Sequence, residues 1–516
     1  MPCGALASRT RKKISMTDSR TPHATSPGTT GSLAPRTGLT LAAVAVVQFL
    51  VSLDLSVVNV GLPEIAAGLG FDAGGLPWVI HAYALTFGGL LLLGGKAADR
   101  YGRKRMLLLG LGLFGASSLL GGFAQTPWQL IAARAIQGVG AAALAPAALA
   151  LLASTFPSGP ARVRAFGVWS AMNAAGGALG VLLGGVLTEY AGWRWVMFVN
   201  VPMAAVALAL TWRIASDTAA VRGGRPDILG AVLATAGVTL LVFGVVRTDE
   251  HGWTSATTLS TLAFAAALLA AFVTVERIVE RTARREPLLR LGLLANRSVA
   301  GGVAFTLLIG TAMAPSFYFM SLYLQRVLGN GPAATGLMFI PFTIALMAGA
   351  FLTVKLGHRV PPRTLLIAGA LLTAAGFAWF GLISPDGSFP TDVLGPSLVA
   401  GTGFGLCLGP AVSVATAGVA AAEAGTASGL LNSARQIGAS LGLAALGTAA
   451  QARTGSGTGV SDLNSGYALG LTLSAGLLVG AAVIAVAVLR GQGAGLAAGG
   501  AAGGAAGARS SATAAK

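Results

Sequence analysis

Long apolar stretches separated by short polar segments fill the chain from about residue 39 to residue 489. A helix needs about 20 consecutive apolar residues to cross a bilayer. This criterion predicts an all-α polytopic membrane protein with about fourteen transmembrane helices. The predicted spans are 39–61, 76–94, 106–124, 128–152, 165–188, 195–213, 228–246, 257–275, 298–323, 334–354, 364–384, 394–419, 426–450 and 467–489.

The spacing of these spans predicts five regions. Six spans occupy residues 39–213, and six more occupy residues 298–489. Residues 214–297 hold two inserted spans and a basic loop. Residues 1–38 are polar and basic without the apolar core of a signal peptide, which predicts a disordered cytoplasmic tail. Residues 490–516 are rich in Gly and Ala, which predicts a second disordered tail.

The composition supports a membrane protein. Of 516 residues, 54% are hydrophobic and 10% are charged, with a mean hydropathy of +0.75. Soluble domains carry roughly 25% charged residues, so lipid must cover most of this surface. The four histidines are too few for a convincing metal cluster, and no metal or cofactor is expected.

The net charge of +17 is explained by topology rather than by nucleic-acid binding. Basic residues cluster after every second span, and cytoplasmic loops are enriched in Lys and Arg. Both termini are therefore expected in the cytoplasm. The clusters are Arg100, Arg103, Lys104 and Arg105; Arg162 and Arg164; Arg213, Arg222 and Arg225; Arg277, Arg281, Arg284, Arg285, Arg290 and Arg297; and Lys355, Arg359 and Arg363.

Ionisable side chains inside spans are costly and indicate function. Asp54 lies about 12 Å from the outer end of the first span, and Arg134 lies about 9 Å into the fourth span, at 1.5 Å per residue. They could therefore meet at one depth. Burial favours the neutral acid and a nearby arginine favours the carboxylate, so Asp54 could carry a proton. The alternative is a static ion pair; lipid exposure or isolation of Asp54 from a central void would exclude proton coupling.

The thirteenth span contains a third ionisable side chain within a polar stripe. Arg435 stands beside Gln436, with Asn432 one turn earlier. These residues either hydrogen-bond between helices or line a cavity. The fifth span carries glycines on one helix face, which favours close helix packing. They are Gly176, Gly180 and Gly184, with Gly185 beside them.

The loop after the second span reads GGKAADRYGRKR from Gly94 to Arg105. It resembles the signature loop of the major facilitator superfamily, with Ala97 in place of the usual Leu. The resemblance implies a cytoplasmic latch between conformations. Gly95 would allow close helix approach, and Asp99 would meet a helix N-terminus. The latch motif comprises Gly95, Asp99, Arg100, Gly102 and Arg103.

The first span reads LDLSVVNVGLP from Leu53 to Pro63, and the fourth contains RAIQGVGAA from Arg134. Both are similar to motifs of the drug/proton antiporters. The resemblance implies proton coupling by Asp54, Arg134 and Gln137 and places Asn59 among the candidates for lining the cavity. In the fifth span, Val181 stands where the antiporter motif has proline. This departure weakens the antiporter inference and leaves the fold untouched.

Three further segments resemble the fourteen-span subfamily, the EmrB/QacA type: WRWVMFVNVP from Trp193, YLQ from Tyr323 and SGLLNSARQIG from Ser428. The resemblance implies the major facilitator fold, with two six-helix halves, two inserted helices and a central cavity. Transport would proceed by rocking of the halves around a midplane site.

The expected function is proton-driven export of lipophilic small molecules, drugs or antibiotics across the inner (plasma) membrane. A dedicated exporter of an endogenous metabolite, such as an antibiotic or siderophore, is the alternative; a receptor or structural role is the alternative outside transport. No HExxH or GxxxxGK[ST] motif is present. One GxSxG match, GASLG from Gly438 to Gly442, lies inside the predicted thirteenth span rather than at a strand-to-helix turn, so an enzyme or an ATP-driven pump is not expected. The expected partners are protons, cargo and lipid, without nucleic acid, and the protein is expected to act as a monomer.

Overall fold

The computed structural model describes residues 35–72, 74–156, 159–214, 227–248, 252–282, 287–357, 359–415, 419, 424–455, 457 and 459–488. Regular structure in these ranges is helical. Among the described residues, thirteen helical segments are long and apolar enough to cross a membrane. The remaining predicted span, 426–450, lies within the helix Ala424–Thr454, which has 31 residues. The polar stripe in this helix explains its lower hydropathy.

The first six spans are formed by helices α1 to α7, which we call the N-terminal half. Their bounds are α1 Pro35–Leu69, α2 Trp78–Tyr101, α3 Arg103–Gly122, α4 Pro127–Thr155, α5 Gly159–Ala191, α6 Arg194–Phe198 and α7 Asn200–Arg213. Helices α6 and α7 together form the sixth span. The inserted region comprises α8 Ile228–Val246, α9 Ala256–Thr282 and the short α10 Leu291–Ala295.

Helices α11 to α17 form the C-terminal half. Their bounds are α11 Arg297–Leu322, α12 Pro332–Met338, α13 Ile340–Leu356, α14 Pro362–Phe380, α15 Gly395–Ala415, α16 Ala424–Thr454 and α17 Val460–Val488. Two π-helical segments, Tyr323–Val327 and Phe389–Leu394, continue α11 and precede α15. Helices α12 and α13 together form one span.

The breaks within two spans have a common cause. Val199 separates α6 from α7, and Phe339 separates α12 from α13. Pro202 and Pro341 follow these breaks. A proline has no N–H to donate to the carbonyl four residues earlier, which interrupts the helix locally while the chain continues in the same direction.

The helix bounds extend several predicted spans. Helix α1 begins at Pro35, so residues 35–38 are helical although the sequence placed them in the N-terminal tail. The rest of that tail and the C-terminal tail, residues 1–34 and 489–516, lie outside the described residues. Residues 416–418, at the end of the predicted span 394–419, also lie outside them.

Close packing of α2 on α4 positions the site described below. A Cβ atom built on Gly94 would lie 1.9 Å from the carbonyl oxygen of Ala142, so only glycine permits this approach. A Cβ on Gly95 would lie 3.6 Å from the Cβ of Pro146, an ordinary contact. The close approach expected at Gly95 is therefore made one residue earlier, because Gly94 is the residue that faces α4.

The glycine face of α5 lies against α1. Cβ atoms built on Gly176, Gly180 and Gly184 would come within 2.5 to 2.7 Å of α1 carbonyl oxygens. These oxygens belong to Phe49, Leu53 and Val57, respectively. Gly185 faces the other half instead, where its Cβ would lie 2.3 Å from the carbonyl oxygen of Pro332. With Val181 in the motif position, α5 is one continuous helix.

Candidate functional site

A buried ion pair lies inside the N-terminal half. Asp54 projects from α1 and Arg134 from α4, and Arg134 Nη1 donates to Asp54 Oδ2 at 2.8 Å. Asp54 is 0% exposed and Arg134 is 2% exposed. The comparable depths estimated for the two residues are thus realised as a direct contact, and Asp54 faces the helix bundle rather than lipid.

Two amides complete the environment of the Asp54 carboxylate. Gln137 Nε2 and Asn200 Nδ2 each donate to Asp54 Oδ1 at 2.8 Å. Gln137 lies three residues after Arg134, so both side chains share one face of α4. Asn200 is the first residue of α7, at the break in the sixth span. Asp54 is therefore held by donors from two other spans.

Arg134 is fixed by further contacts. Its Nη1 also donates to Gln137 Oε1 at 2.6 Å, and its Nε donates to the carbonyl oxygen of Val79 at 3.1 Å. Its Cζ lies 4.4 Å from the ring centroid of Tyr83, a cation–π geometry. Gln137 Nε2 also donates to Ser118 Oγ at 2.8 Å. Helices α1, α2, α3, α4 and α7 thus all meet at this cluster.

The arrangement makes the charge of Asp54 energetically important. A buried ion pair that loses one charge leaves the other uncompensated, at a cost of roughly 3–5 kcal/mol. Protonation of Asp54 would remove its charge without removing its side chain. Asp54 has no exposed surface, so the expectation that it borders a central void is not met in this conformation. Proton exchange with water therefore requires a movement that opens the cluster.

Sequence reasoning found Asp54, Arg134 and Gln137 but missed Asn200 and Ser118. Asn200 lies in the quoted WRWVMFVNVP segment, and an amide within an apolar span is itself a signal of interhelical hydrogen bonding. A serine carries a weaker signal, because its hydroxyl commonly bonds its own helix. Ser118 makes both kinds of bond: its Oγ accepts from Gln137 of α4 and also donates to the carbonyl oxygen of Phe114 in its own helix at 2.8 Å.

The polar stripe of α16 has three different environments. Asn432 is exposed, and its Nδ2 donates within the helix to the carbonyl oxygen of Ser428 at 3.3 Å. Arg435 is half-buried. Gln436 is 5% exposed, and its Cβ would lie 2.7 Å from a Cβ built on Gly88 of α2. Gln436 therefore packs between helices, whereas Asn432 and Arg435 keep accessible surface.

Asn59, the remaining candidate for lining a cavity, lies five residues after Asp54 in α1. Its side-chain Nδ2 donates to the carbonyl oxygen of Leu55 in the same helix at 2.9 Å. The side chain is half-buried. The structure therefore places it outside the hydrogen-bonded cluster around Asp54.

The signature loop forms a one-residue turn between α2 and α3. Gly102 has φ +97°, a conformation that glycine adopts without the strain a side chain would impose. Asp99 Oδ1 lies 3.8 Å from Nη2 of Arg103, the first residue of α3. Arg100 is the preceding basic residue, at the end of α2. Lys96 Nζ donates to the carbonyl oxygen of Pro287 in the inserted region.

No group of three or more His, Cys, Asp or Glu side chains among the described residues could hold a metal ion.

Solved transporters share the fold. The chain superimposes on the peptide transporter PepTSo of the POT family with a TM-score of 0.64 and 15% identity, covering 89% of this chain and 98% of that one. The nucleoside transporter NupG gives a TM-score of 0.63 at 13% identity, covering 88% and 100% of the two chains. At these identities the likeness shows the fold alone.

Sequence relatives are closer. The cephamycin export protein CmcT of Amycolatopsis lactamdurans is 43% identical over 84% of this chain and 88% of its own length. The puromycin resistance protein pur8 of Streptomyces alboniger is 39% identical over 87% of this chain and 91% of its own length. The methylenomycin A resistance protein of Bacillus subtilis is 34% identical over 80% of this chain and 87% of its own length. Residues 44–443 match the Major Facilitator Superfamily. The chain belongs to this superfamily of membrane transporters, which are not enzymes.

Proposed function

We propose that this protein is a proton-coupled exporter of lipophilic small molecules, including antibiotics, in the cell membrane. The names of its relatives describe export of, or resistance to, cephamycin, puromycin and methylenomycin. These names favour transport over a receptor or structural role. The superfamily match supports alternating access between two halves.

The observation that carries proton coupling is the buried Asp54 cluster. Its carboxylate accepts hydrogen bonds from Arg134, Gln137 and Asn200. A proton on Asp54 weakens the attraction to Arg134 and frees the guanidinium for another arrangement. Helices α1, α4 and α7 carry these groups, so proton occupancy biases how the three helices pack. A static ion pair and a proton-coupling pair have the same geometry in a single conformation. They differ only in whether protonation of Asp54 changes the packing of these helices.

The other predicted residues take supporting roles in this proposal. The signature loop latches the cytoplasmic face, with Gly102 forming its turn and Asp99 facing Arg103. The glycine face of α5 lets α5 pack closely on α1, the helix that carries Asp54. Arg435 and Asn432 line the path between the halves, supported by their retained accessible surface. Both termini lie in the cytoplasm, as the loop charges indicate.

The proposal is tested with purified protein in liposomes that carry an imposed pH gradient. Cephamycin, puromycin and lincomycin serve as probe compounds. Their uptake into the acidic lumen should follow the gradient and stop when a protonophore collapses it. Protein-free liposomes measure passive accumulation of basic compounds. If every transported probe is still taken up when no pH gradient is present, proton coupling is contradicted. If none of the probe compounds is transported, the assigned cargo is contradicted.

A dedicated exporter of one endogenous antibiotic remains the second candidate. The cephamycin export protein, at 43% identity, supports it because its name describes one class of cargo. The same panel separates the two candidates. Transport restricted to one chemical scaffold indicates dedicated export, whereas transport of chemically unrelated probes indicates multidrug efflux.

A further inference from the structure

The proline of the first-span motif leaves a carbonyl group without its helical donor. Pro63 lies inside α1, and its ring nitrogen has no hydrogen to donate to the carbonyl oxygen of Asn59, four residues earlier. The adjacent carbonyl of Val60 lies in the same disturbed turn. Within a membrane such a backbone group must find a partner or line a water-filled space.

The partners come from the opposite half of the protein. Ser321 Oγ donates to the carbonyl oxygen of Asn59 at 3.1 Å, and Gln325 Nε2 donates to the carbonyl oxygen of Val60 at 3.0 Å. Gln325 Nε2 also donates to Ser321 Oγ at 3.1 Å. Ser321 and Gln325 lie four residues apart, where α11 passes into its π-helical segment. We call this set of contacts the Pro63 clasp.

We propose that Ser321 and Gln325 are positioning residues of the transport cycle, which close one end of the path by binding the carbonyl groups exposed at Pro63. The proposal gives the YLQ segment a role, since Gln325 is its last residue. It rests on the proposed function only in assuming that the two halves move apart during transport. On the expected topology, the clasped end faces the outside.

The chemistry of the clasp suits a contact that forms and breaks. Its hydrogen bonds are neutral, and each contributes little net stability because water can replace it. When the halves separate, the freed carbonyl groups face the opened path, where water satisfies them. Asn59 follows Asp54 by about 7.5 Å along the same helix, at 1.5 Å per residue. Movement of the clasp and repacking around Asp54 are therefore linked through α1.

A second contact closes the same end of the bundle. Glu189, near the end of α5, accepts a hydrogen bond at Oε2 from the backbone N–H of Ala333 in α12 at 2.8 Å. This contact is exposed, whereas Ser321 is 1% exposed. Exposed pairs contribute little, so we assign the larger share of closure to the Pro63 clasp.

The test measures the closed end directly, without cargo or a pH gradient. Spin labels are placed at Tyr190 in α5 and Leu337 in α12, which are 77% and 54% exposed, on a background with Cys3 and Cys407 replaced by serine. Pulsed electron resonance gives the distances between the labels. Gln325→Ala should raise the ratio of open to closed molecules about fivefold, the effect of one hydrogen bond.

Pro63→Ala supplies the second variant, because alanine restores the N–H donor to Asn59 and removes the reason for the clasp. It should also raise the open fraction. Its combination with Ser321→Ala should give less than the sum of the two single effects, since both changes act on the contact between Ser321 and the carbonyl oxygen of Asn59. Ser316→Ala is the matched control: Ser316 is buried in α11 and bonds only the carbonyl oxygen of Ala312 in its own helix.

Unchanged distance distributions in both Gln325→Ala and Pro63→Ala overturn the clasp, and so does an equal shift in Ser316→Ala. Neither result bears on cargo or proton coupling. Conversely, loss of proton dependence in the liposome assay would refute the proposed function while leaving these distances unaffected. The two proposals therefore fail separately.

Discussion

The interiors of the two halves differ in chemistry. The N-terminal half buries a charged cluster in which Asp54 and Arg134 are 0% and 2% exposed. The C-terminal half contains a small pocket lined mainly by aromatic and other apolar side chains. Its aromatic lining residues are Phe317, Phe339, Phe342, Phe377 and Phe380.

This difference indicates where proton occupancy can act. In a low-dielectric interior, the energy of a charged cluster depends strongly on its protonation state. Packing between aromatic rings, such as the stacked pair Phe317 and Phe339 with centroids 5.6 Å apart, has no comparable dependence. We therefore assign proton sensitivity to the N-terminal half and expect the C-terminal half to follow it through helix contacts.

The largest effect is expected from Arg134→Ala. This change leaves the Asp54 carboxylate buried without its cation and should lower the free energy of unfolding by roughly 3–5 kcal/mol. The measurement is unfolding of the detergent-solubilised protein. Arg453→Ala is the control, because Arg453 is exposed at the end of α16, and should shift stability by less than about 0.5 kcal/mol. Equal effects of the two changes would remove the distinction between a buried pair and a surface charge.

The next largest effect is expected from Phe377→Ala in the C-terminal half. Enlarging the aromatic cavity should cost about 3 kcal/mol of stability, while the number of protons released per cargo molecule stays at the wild-type value. Phe351→Ala serves as control, because Phe351 is 63% exposed on α13. A changed proton count in Phe377→Ala would contradict the assignment of proton sensitivity to the N-terminal half.

Ser118→Ala should have the smallest effect. It removes the hydroxyl that accepts from Gln137 and should cost about 1 kcal/mol, with a measurable change in the pH dependence of transport. The neighbouring Ser117→Ala is a close control, since Ser117 is also buried but bonds only carbonyl groups of its own helix. Identical pH profiles for the two variants would separate Ser118 from the coupling cluster.

The sequence predicted the fold well because hydropathy reports lipid exposure directly. It was also sufficient to bring Asp54 and Arg134 together, since depth along a helix follows from residue counting. The sequence could not predict which glycine makes the close contact between α2 and α4. Gly94 and Gly95 differ by about 100° around the helix axis, and only the packed structure shows that Gly94 faces α4.

Contacts between distant segments were the part that could not be predicted. Asn200 reaches Asp54 from 146 positions away, and Gln325 reaches Val60 from 265 positions away. Each polar residue has several neighbouring helices it could face, and hydropathy does not choose among them. The consequence of Pro63 for the Asn59 carbonyl follows from the sequence, whereas its partner Ser321 does not.

The most direct test of the account is proton release by Asp54→Asn in liposomes. Asparagine keeps the size of the side chain but cannot exchange a proton. Addition of an accepted probe compound should release protons from the wild-type protein and none from Asp54→Asn, at equal protein abundance. Wild-type proton release by Asp54→Asn would contradict the account and leave Asp54 and Arg134 as a structural ion pair.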